Sequence, residues 1–441
     1  MLPREGFEMR NGARVVVVGG GLAGLSAAAF AARAGAQVSV IERLSEPGGR
    51  ARTREERGFL FNQGPHALYQ GGAAMAALRE LGIDPAGASA PTSGALAVRD
   101  GRLHALPGGP VSLLTTGLLG LAEKLEFARV LTALPKLDTA SLHGVTLADY
   151  LGDALRHPGV RAVVEAVVRL TGYANAPELL SAGAALDQLR LGLGPGVRYL
   201  DGGWSALVDA LARGARDAGV ELRCGARVES VEHDGSVRAL RLAEGERIAC
   251  DAVILALGPD EASALVDEGR NPFLAGAARA CVPVRAACLD LGLERLPLPE
   301  RAFALGIDRA TYFSVHSKSA KLAPEGKALI QAARYLAPGE SPTRETLEAE
   351  FDAMLDLVQP GWRDLTLARR VMRELVVVHD LPQASRGGLA GRTPGAVDGI
   401  ANLWLAGDWV GPTGMLADAS FASARVAASG AVRARRLGVA A

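Results

Sequence analysis

The chain has 441 residues, 49% of them apolar and 22% charged. It is too long for one ordinary domain and too apolar for disorder, so two domains with ample cores are expected. Lysine plus arginine and aspartate plus glutamate both number 48, giving zero formal net charge, and no basic run marks a nucleic-acid surface.

Residues 1–12 are polar, lack an apolar signal core and read as a loose tail. Four valines after Arg14 then predict a short buried strand. Gly19, Gly21 and Gly24 follow in the spacing Gly-x-Gly-x-x-Gly, an alanine-rich helix is predicted over residues 22–34, and a second strand ends in Glu42. The complete strand–turn–helix–strand–acid unit is a dinucleotide fingerprint. Gly19 permits the tight turn, Gly21 lets a pyrophosphate approach the backbone, and Gly24 lets the helix pack close to the strand. Leu22 and Ala23 open the helix, whose N-terminus presents free N–H groups and about half a positive charge. Glu42, followed by Arg43, is placed to accept from the adenosine ribose.

A second glycine cluster, Glu46-Pro-Gly-Gly-Arg-Ala-Arg-Thr53, comes next. Gly48 and Gly49 let a loop pass close to a bulky planar ligand, and Arg50 offers a rigid fork of donors for phosphate. A strand over residues 59–62 and a helix over 73–81 follow, and residues 91–198 read as mostly helical. The most apolar stretch, residues 111–134, is interrupted by Glu123, Lys124, Glu126 and Arg129. It is no membrane span and reads as helices packed inside the second domain, with contact to a membrane surface as the lesser reading.

Tyr199-Leu-Asp-Gly-Gly-Trp204 opens a new unit: a helix over 205–218, strands over 220–223, 227–233 and 237–242, and a buried strand over 252–258. Residues 262–394 change character again, with a strand over 286–291 and a helix over 344–358. Gly387-Gly-Leu-Ala-Gly391 mimics the fingerprint, but no strand precedes it and Pro394 follows, so a second dinucleotide site is rejected. The last unit is a strand at Leu403-Trp-Leu-Ala-Gly-Asp408 and a small-residue helix over 419–437. The cysteines Cys224, Cys250, Cys281 and Cys288 form no Cys-x-x-Cys pair and stand at no metal spacing. They read as reduced thiols of a cytoplasmic protein without a metal site.

With Gly48, Gly49, Arg50 and Thr53 after the first fingerprint, and Leu405-Ala-Gly-Asp-Trp409 near the end, the chain resembles the flavin-dependent amine oxidase and phytoene desaturase superfamily. The resemblance implies FAD as cofactor. It also implies that Gly407, Asp408 and the backbone of Met415, Leu416 and Ala417 approach the flavin, and that Val228 meets the adenine. The chain departs from the family at Asn62, where an acid is common, and in the last helix at Ala417-Asp418-Ala419 and Ser423-Ala424. The expected fold is α/β: a Rossmann-type FAD-binding domain of the glutathione-reductase-like kind from residues 1–90, 199–261 and 395–441. An α+β substrate domain from residues 91–198 and 262–394 interleaves with it.

Three reactions are open: desaturation of an apolar substrate, amine oxidation, and double-bond isomerisation or saturation. A non-catalytic flavoprotein is the fourth reading. Aromatic residues make up only 5%, lysines are few, and residues 91–198 are rich in Leu, Ala and Val, so desaturation of a small apolar or polyene-like molecule is expected. Lys318 and Lys321 read as surface residues. His66 is the candidate proton shuttle. Tyr69, Tyr173, Trp204 and Trp409 are candidates for the pocket wall. His379 and Asp380 are discounted as an acid–base pair because neighbours on a strand face opposite ways.

Overall fold

A computed structural model describes residues 12–90 and 94–437, so the expected tail, up to residue 11, lies outside the described residues. The four valines of Arg14–Val18 have no side-chain polarity to hydrate, and this strand takes the centre of a parallel five-stranded sheet. The order is Glu221–Cys224, Gln37–Glu42, Arg14–Val18, Ala252–Leu255, Leu403–Leu405. Leu22–Arg33 packs on this sheet and against two further helices, Trp204–Asp217 and Leu416–Leu437. The approach is so close that a Cβ on Gly24 would stand 1.8 Å from the carbonyl oxygen of Gly19.

A seven-stranded sheet carries the other side of the molecule. It runs Thr366–Val378, Val284–Leu293, Ala328–Leu336, Thr311–Ser314, Phe303–Gly306, Leu96–Arg99, Arg102–Ala105. The last two strands correct the helical reading of residues 91–198. They form a hairpin around Asp100 and Gly101, both with positive φ, the backbone that an Asp-Gly turn supplies. The helices Pro158–Gly172 and Ala182–Leu193 bury Val160, Val163, Val164 and Leu186 in a second core against this sheet.

The apolar stretch folds as two helices, Pro110–Thr115 and Leu121–Ala133. It is not wholly packed inside: Leu113 and Phe127 are buried, whereas Val111, Leu114, Leu121 and Leu125 are exposed. No helix among the described residues is long and apolar enough to cross a membrane. The final helix starts at Leu416, earlier than expected, and the chain turns into it through positive φ at Gly414 and at Leu416 itself. Residues 384–391 form only short 3-10 turns, with no strand–helix unit at the second glycine run.

The helix-to-strand contact at Gly24 leaves no room for a methyl group. Gly24→Ala should lower stability by about 1–3 kcal/mol or more, as overpacking does, and a thermal melt that stays at the wild-type midpoint would refute the contact's importance.

Candidate flavin and substrate site

One cavity of about 1710 Å³ is lined by residues from both large sheets and from the helices between them. Its first part is the glycine fingerprint. Gly19, Gly21, Leu22 and Ala23 line it, and no side chain caps the first turn of the helix. A Cβ on Gly21 would meet nothing within 4 Å, so this turn opens to the cavity with its amide hydrogens free. Gly24 does not line the cavity; it serves the packing described above. Glu42 is buried, and its two carboxylate oxygens accept from the backbone N–H groups of Gly20 at 2.7 Å and Leu44 at 2.8 Å. Arg43, Gly48, Gly49 and Val228 also line the cavity. The two glycine loops touch directly, Gly48 N–H donating to Gly20 at 2.8 Å.

Asp408 and Arg50 meet at the middle of the cavity wall. The Arg50 guanidinium lies 2.7 Å from the Asp408 carboxylate and donates to the Val377 carbonyl at 2.7 Å. His379 Nδ1 lies 3.0 Å from the other Asp408 oxygen. Burial works against the Asp408 charge, but Arg50 and then His379 overrule it and hold the carboxyl well below the usual range. Both contacts use one guanidinium nitrogen, Nη1, and Arg50 lines the cavity with 40% of its side chain exposed. Discounting a His379–Asp380 pair agrees with this geometry: His379 pairs with Asp408, and Asp380 pairs with Arg386 at 3.1 Å. Gly407 lines the cavity beside Asp408, and its N–H donates to the Ser423 hydroxyl at 2.9 Å. Leu416, Ala417 and Ser420 present the first turn of the last helix to the cavity, whereas the Met415 side chain is buried beside Gly172.

His66 lines the next part, its ring 4.8 Å from Trp204. Nδ1 stands 2.9 Å from the Gly64 carbonyl, which can only accept, so Nδ1 carries the hydrogen. Burial and the Arg50 charge keep the ring's pKa below its ordinary value, leaving Nε2 of the neutral ring as an acceptor. Tyr69 and Tyr173 line the cavity, their hydroxyls donating to the carbonyls of Thr171 at 2.7 Å and Pro65 at 2.9 Å. Trp204 lines it too, and its indole Nε1 is buried without a partner. Trp409 does not. It is fully buried in the core behind the parallel sheet, its Nε1 donating to the Leu257 carbonyl at 2.9 Å, which removes it from the pocket wall. Lys318 is exposed and donates to the Pro299 carbonyl at 2.7 Å, and no lysine is among the described residues that line the cavity.

Asn62 stands where the resemblance favours an acid. Its side-chain oxygen accepts from the Thr53 hydroxyl at 2.7 Å and from Trp204 N–H at 3.0 Å. It therefore ties the Gly-Gly-Arg loop to the helix that begins at Trp204. The sequence reading did not single out Tyr199, Tyr312 and His316, which also line the cavity. Tyr199 is 113 residues of chain away from Tyr312, and only the fold brings its strand to the segment that carries Tyr312 and His316. Among the described residues no group of three His, Cys, Asp or Glu side chains could hold a metal ion, and the four cysteines are free thiols.

Uncapped helix amides, an adjacent buried acid and a buried indole donor without a partner fit an FAD molecule, and together with the long cavity they define a flavoprotein oxidoreductase. A family model for flavin containing amine oxidoreductases matches residues 22–430, and the chain belongs to that family. It is 30% identical to the phytoene dehydrogenase of Streptomyces griseus, over 80% of this chain and 75% of that one. It is 27% identical to the coproporphyrinogen III oxidase of Propionibacterium freudenreichii subsp. freudenreichii, over 83% of this chain and 82% of that one. Among solved structures, cyclohexylamine oxidase from Brevibacterium oxydans superposes with a TM-score of 0.70 at 17% identity, covering 97% of this chain and 100% of that one. The protein is an FAD-dependent oxidoreductase of this family.

Glu42→Ala removes a charged acceptor beside the fingerprint, so FAD affinity should fall about tenfold or more. Flavin retained through dialysis at the wild-type level would exclude the ribose contact. A second test uses Asp418, whose one oxygen accepts from Ala74 N–H at 2.7 Å while the other is buried without a partner. Burial raises its pKa to about 6, against the Ala74 hydrogen bond. The folded state then holds the proton more tightly than the unfolded chain. Stability contributed by protonation is full below the unfolded value near 3.8 and is lost as the pH rises through about 6. Asp418→Asn should therefore raise the melting temperature more at pH 8 than at pH 5; an equal change at both would contradict the assignment.

Proposed function

We propose that this oxidoreductase dehydrogenates an apolar organic substrate, taking hydrogen from a carbon–carbon bond. The observation that carries the reading is the wall of the cavity beyond His66 and Trp204. Phe127, Leu131, Val163, Val167, Leu170 and Phe303 line it, a surface that gains free energy by covering hydrocarbon. Bound FAD supplies a hydride acceptor at flavin N5. The residues of this chain hold the substrate, exclude water and accept a proton. His66 is assigned the last role, since its Nδ1 hydrogen is spent on Gly64 and Nε2 remains basic.

The name of the relative called a phytoene dehydrogenase supports a hydrocarbon substrate. Amine oxidation is the second reading, supported by the fold shared with cyclohexylamine oxidase. Against it, two of the carboxylates that line the cavity are already paired, Asp408 with Arg50 and Glu374 with Arg285 at 2.9 Å, so neither of these two is free for an ammonium group. Isomerisation or saturation of a double bond would use the same wall.

Anaerobic mixing with isoprenoid, fatty and amine substrates separates these readings through the flavin absorbance. Bleaching by isoprenoid or fatty compounds is the expected result, and bleaching by amines alone would overturn the proposal.

A further inference from the structure

One stretch of the cavity wall gathers several polar side chains in mutual contact. Where the strands Val197–Leu200 and Thr311–Ser314 reach the cavity, Tyr199, Tyr312 and Ser314 line it, joined by His316 from the short turn that follows. The His316 ring stacks on Tyr199 with centroids 3.8 Å apart and planes 16° apart. Its Nε2 is 2.9 Å from the Tyr312 hydroxyl, which is 3.5 Å from the Tyr199 hydroxyl. Ser314 is two residues from Tyr312 on the same strand and lines the cavity with it. The second imidazole nitrogen, Nδ1, is buried and has no partner.

Every member of this cluster is uncharged. Burial, with a smaller effect of His66, pushes the His316 pKa down to about 3. Burial also pushes both phenols up. Neutral hydroxyls and a neutral imidazole cannot compensate an ammonium or a carboxylate brought into the same buried space. They can exchange hydrogen bonds with a neutral oxygen, as both donors and acceptors. Against a bare hydrocarbon the same groups would lose water and gain nothing. Nor does the cluster satisfy itself: in either tautomer of His316 one ring nitrogen is left over.

We infer that Tyr199, Tyr312, Ser314 and His316 form a subsite for an uncharged hydroxyl or carbonyl group on an otherwise apolar substrate. The substrate class is then an oxygenated hydrocarbon, an alcohol, aldehyde or ketone with a long apolar body, and not a plain polyene. This inference rests on the reading of the cavity as the site of an apolar substrate.

The test uses the purified holoprotein and matched probes on one carbon skeleton: farnesene, farnesol, farnesal and farnesylamine. Binding is read by intrinsic tryptophan fluorescence, to which Trp204 in the cavity wall contributes, and dehydrogenation is read separately by anaerobic flavin bleaching. Farnesol and farnesal should bind about tenfold more tightly than farnesene, the size of one neutral hydrogen bond gained, and farnesylamine should show no such advantage. Tyr312→Phe keeps the ring and should abolish the preference for farnesol and farnesal over farnesene. If Tyr312→Phe does not retain flavin, Tyr199→Phe decides in the same way. Equal binding of farnesol and farnesene by the wild type overturns the subsite, as does a preference that survives both substitutions. A protein that bleaches with no probe yet keeps the preference loses the dehydrogenation reading and retains the subsite. One that bleaches with farnesene and binds all probes equally does the reverse.

Discussion

The buried carboxylate of Asp408 is the constraint on which the cavity depends. It stands in the turn three residues after the last strand of the parallel sheet, and its partners arrive from two distant segments. Arg50 comes from the second glycine loop at 2.7 Å, and His379 comes from just beyond the strand Thr366–Val378 at 3.0 Å. A buried carboxylate deprived of its partners is strongly destabilising, so the parallel sheet, the glycine loop and the antiparallel sheet settle together or not at all. Arg50 extends the tie by donating to the Val377 carbonyl at 2.7 Å. The two walls of the cavity are thereby fixed relative to each other where the flavin site passes into the substrate site.

Charge is graded along the cavity. Near the fingerprint the chain offers helix amides and the ionisable Glu42 and Arg43. At the centre, opposite charges cancel in the Arg50–Asp408–His379 group. Beyond it the polar residues His66, Tyr173, Tyr199, Tyr312 and His316 have their pKa values displaced by burial toward the neutral form. Such a gradient suits a cofactor with a charged diphosphate at one end and a substrate without charge at the other. It also explains why imidazoles serve in the second half. A lysine or carboxylate in the place of His316 would have to be desolvated beside the neutral Tyr199 and Tyr312.

The cofactor half was legible in the sequence because its constraints are local. Gly19, Gly21 and Gly24 act through the absence of a Cβ within one turn, and Glu42 follows at the end of the next strand. The substrate half was less legible because its contacts are made by register. Tyr312 lies opposite Ala333 on one strand and reaches His316 four residues on, while Tyr199 enters from another sheet. His379 has an acidic neighbour in sequence, yet the strand's end turns it to Asp408, 29 residues away. Trp409 illustrates the converse. It adjoins Gly407 and Asp408, but the loop turns its ring away from the cavity toward the Leu257 carbonyl, a direction that no periodicity encodes.

Asn62 shows how a departure from the family pattern can be absorbed. Both of its side-chain partners, the Thr53 hydroxyl and Trp204 N–H, are donors, so one amide oxygen does the work of a carboxylate. Nearby, the fully buried Asp290 is paired with Arg370, which also donates to the Asn62 carbonyl. Burial pushes the Asp290 carboxyl upward despite that guanidinium and the Gln331 amide. An acid at position 62 would place a second carboxylate around a single cation in the same buried region, and like charges so close raise one another's pKa. The amide keeps the knot between the glycine loop and the Trp204 helix without that added charge. The loop that follows, held by Gln331 donating to the Gly64 carbonyl at 3.0 Å, then presents a neutral His66 to the cavity.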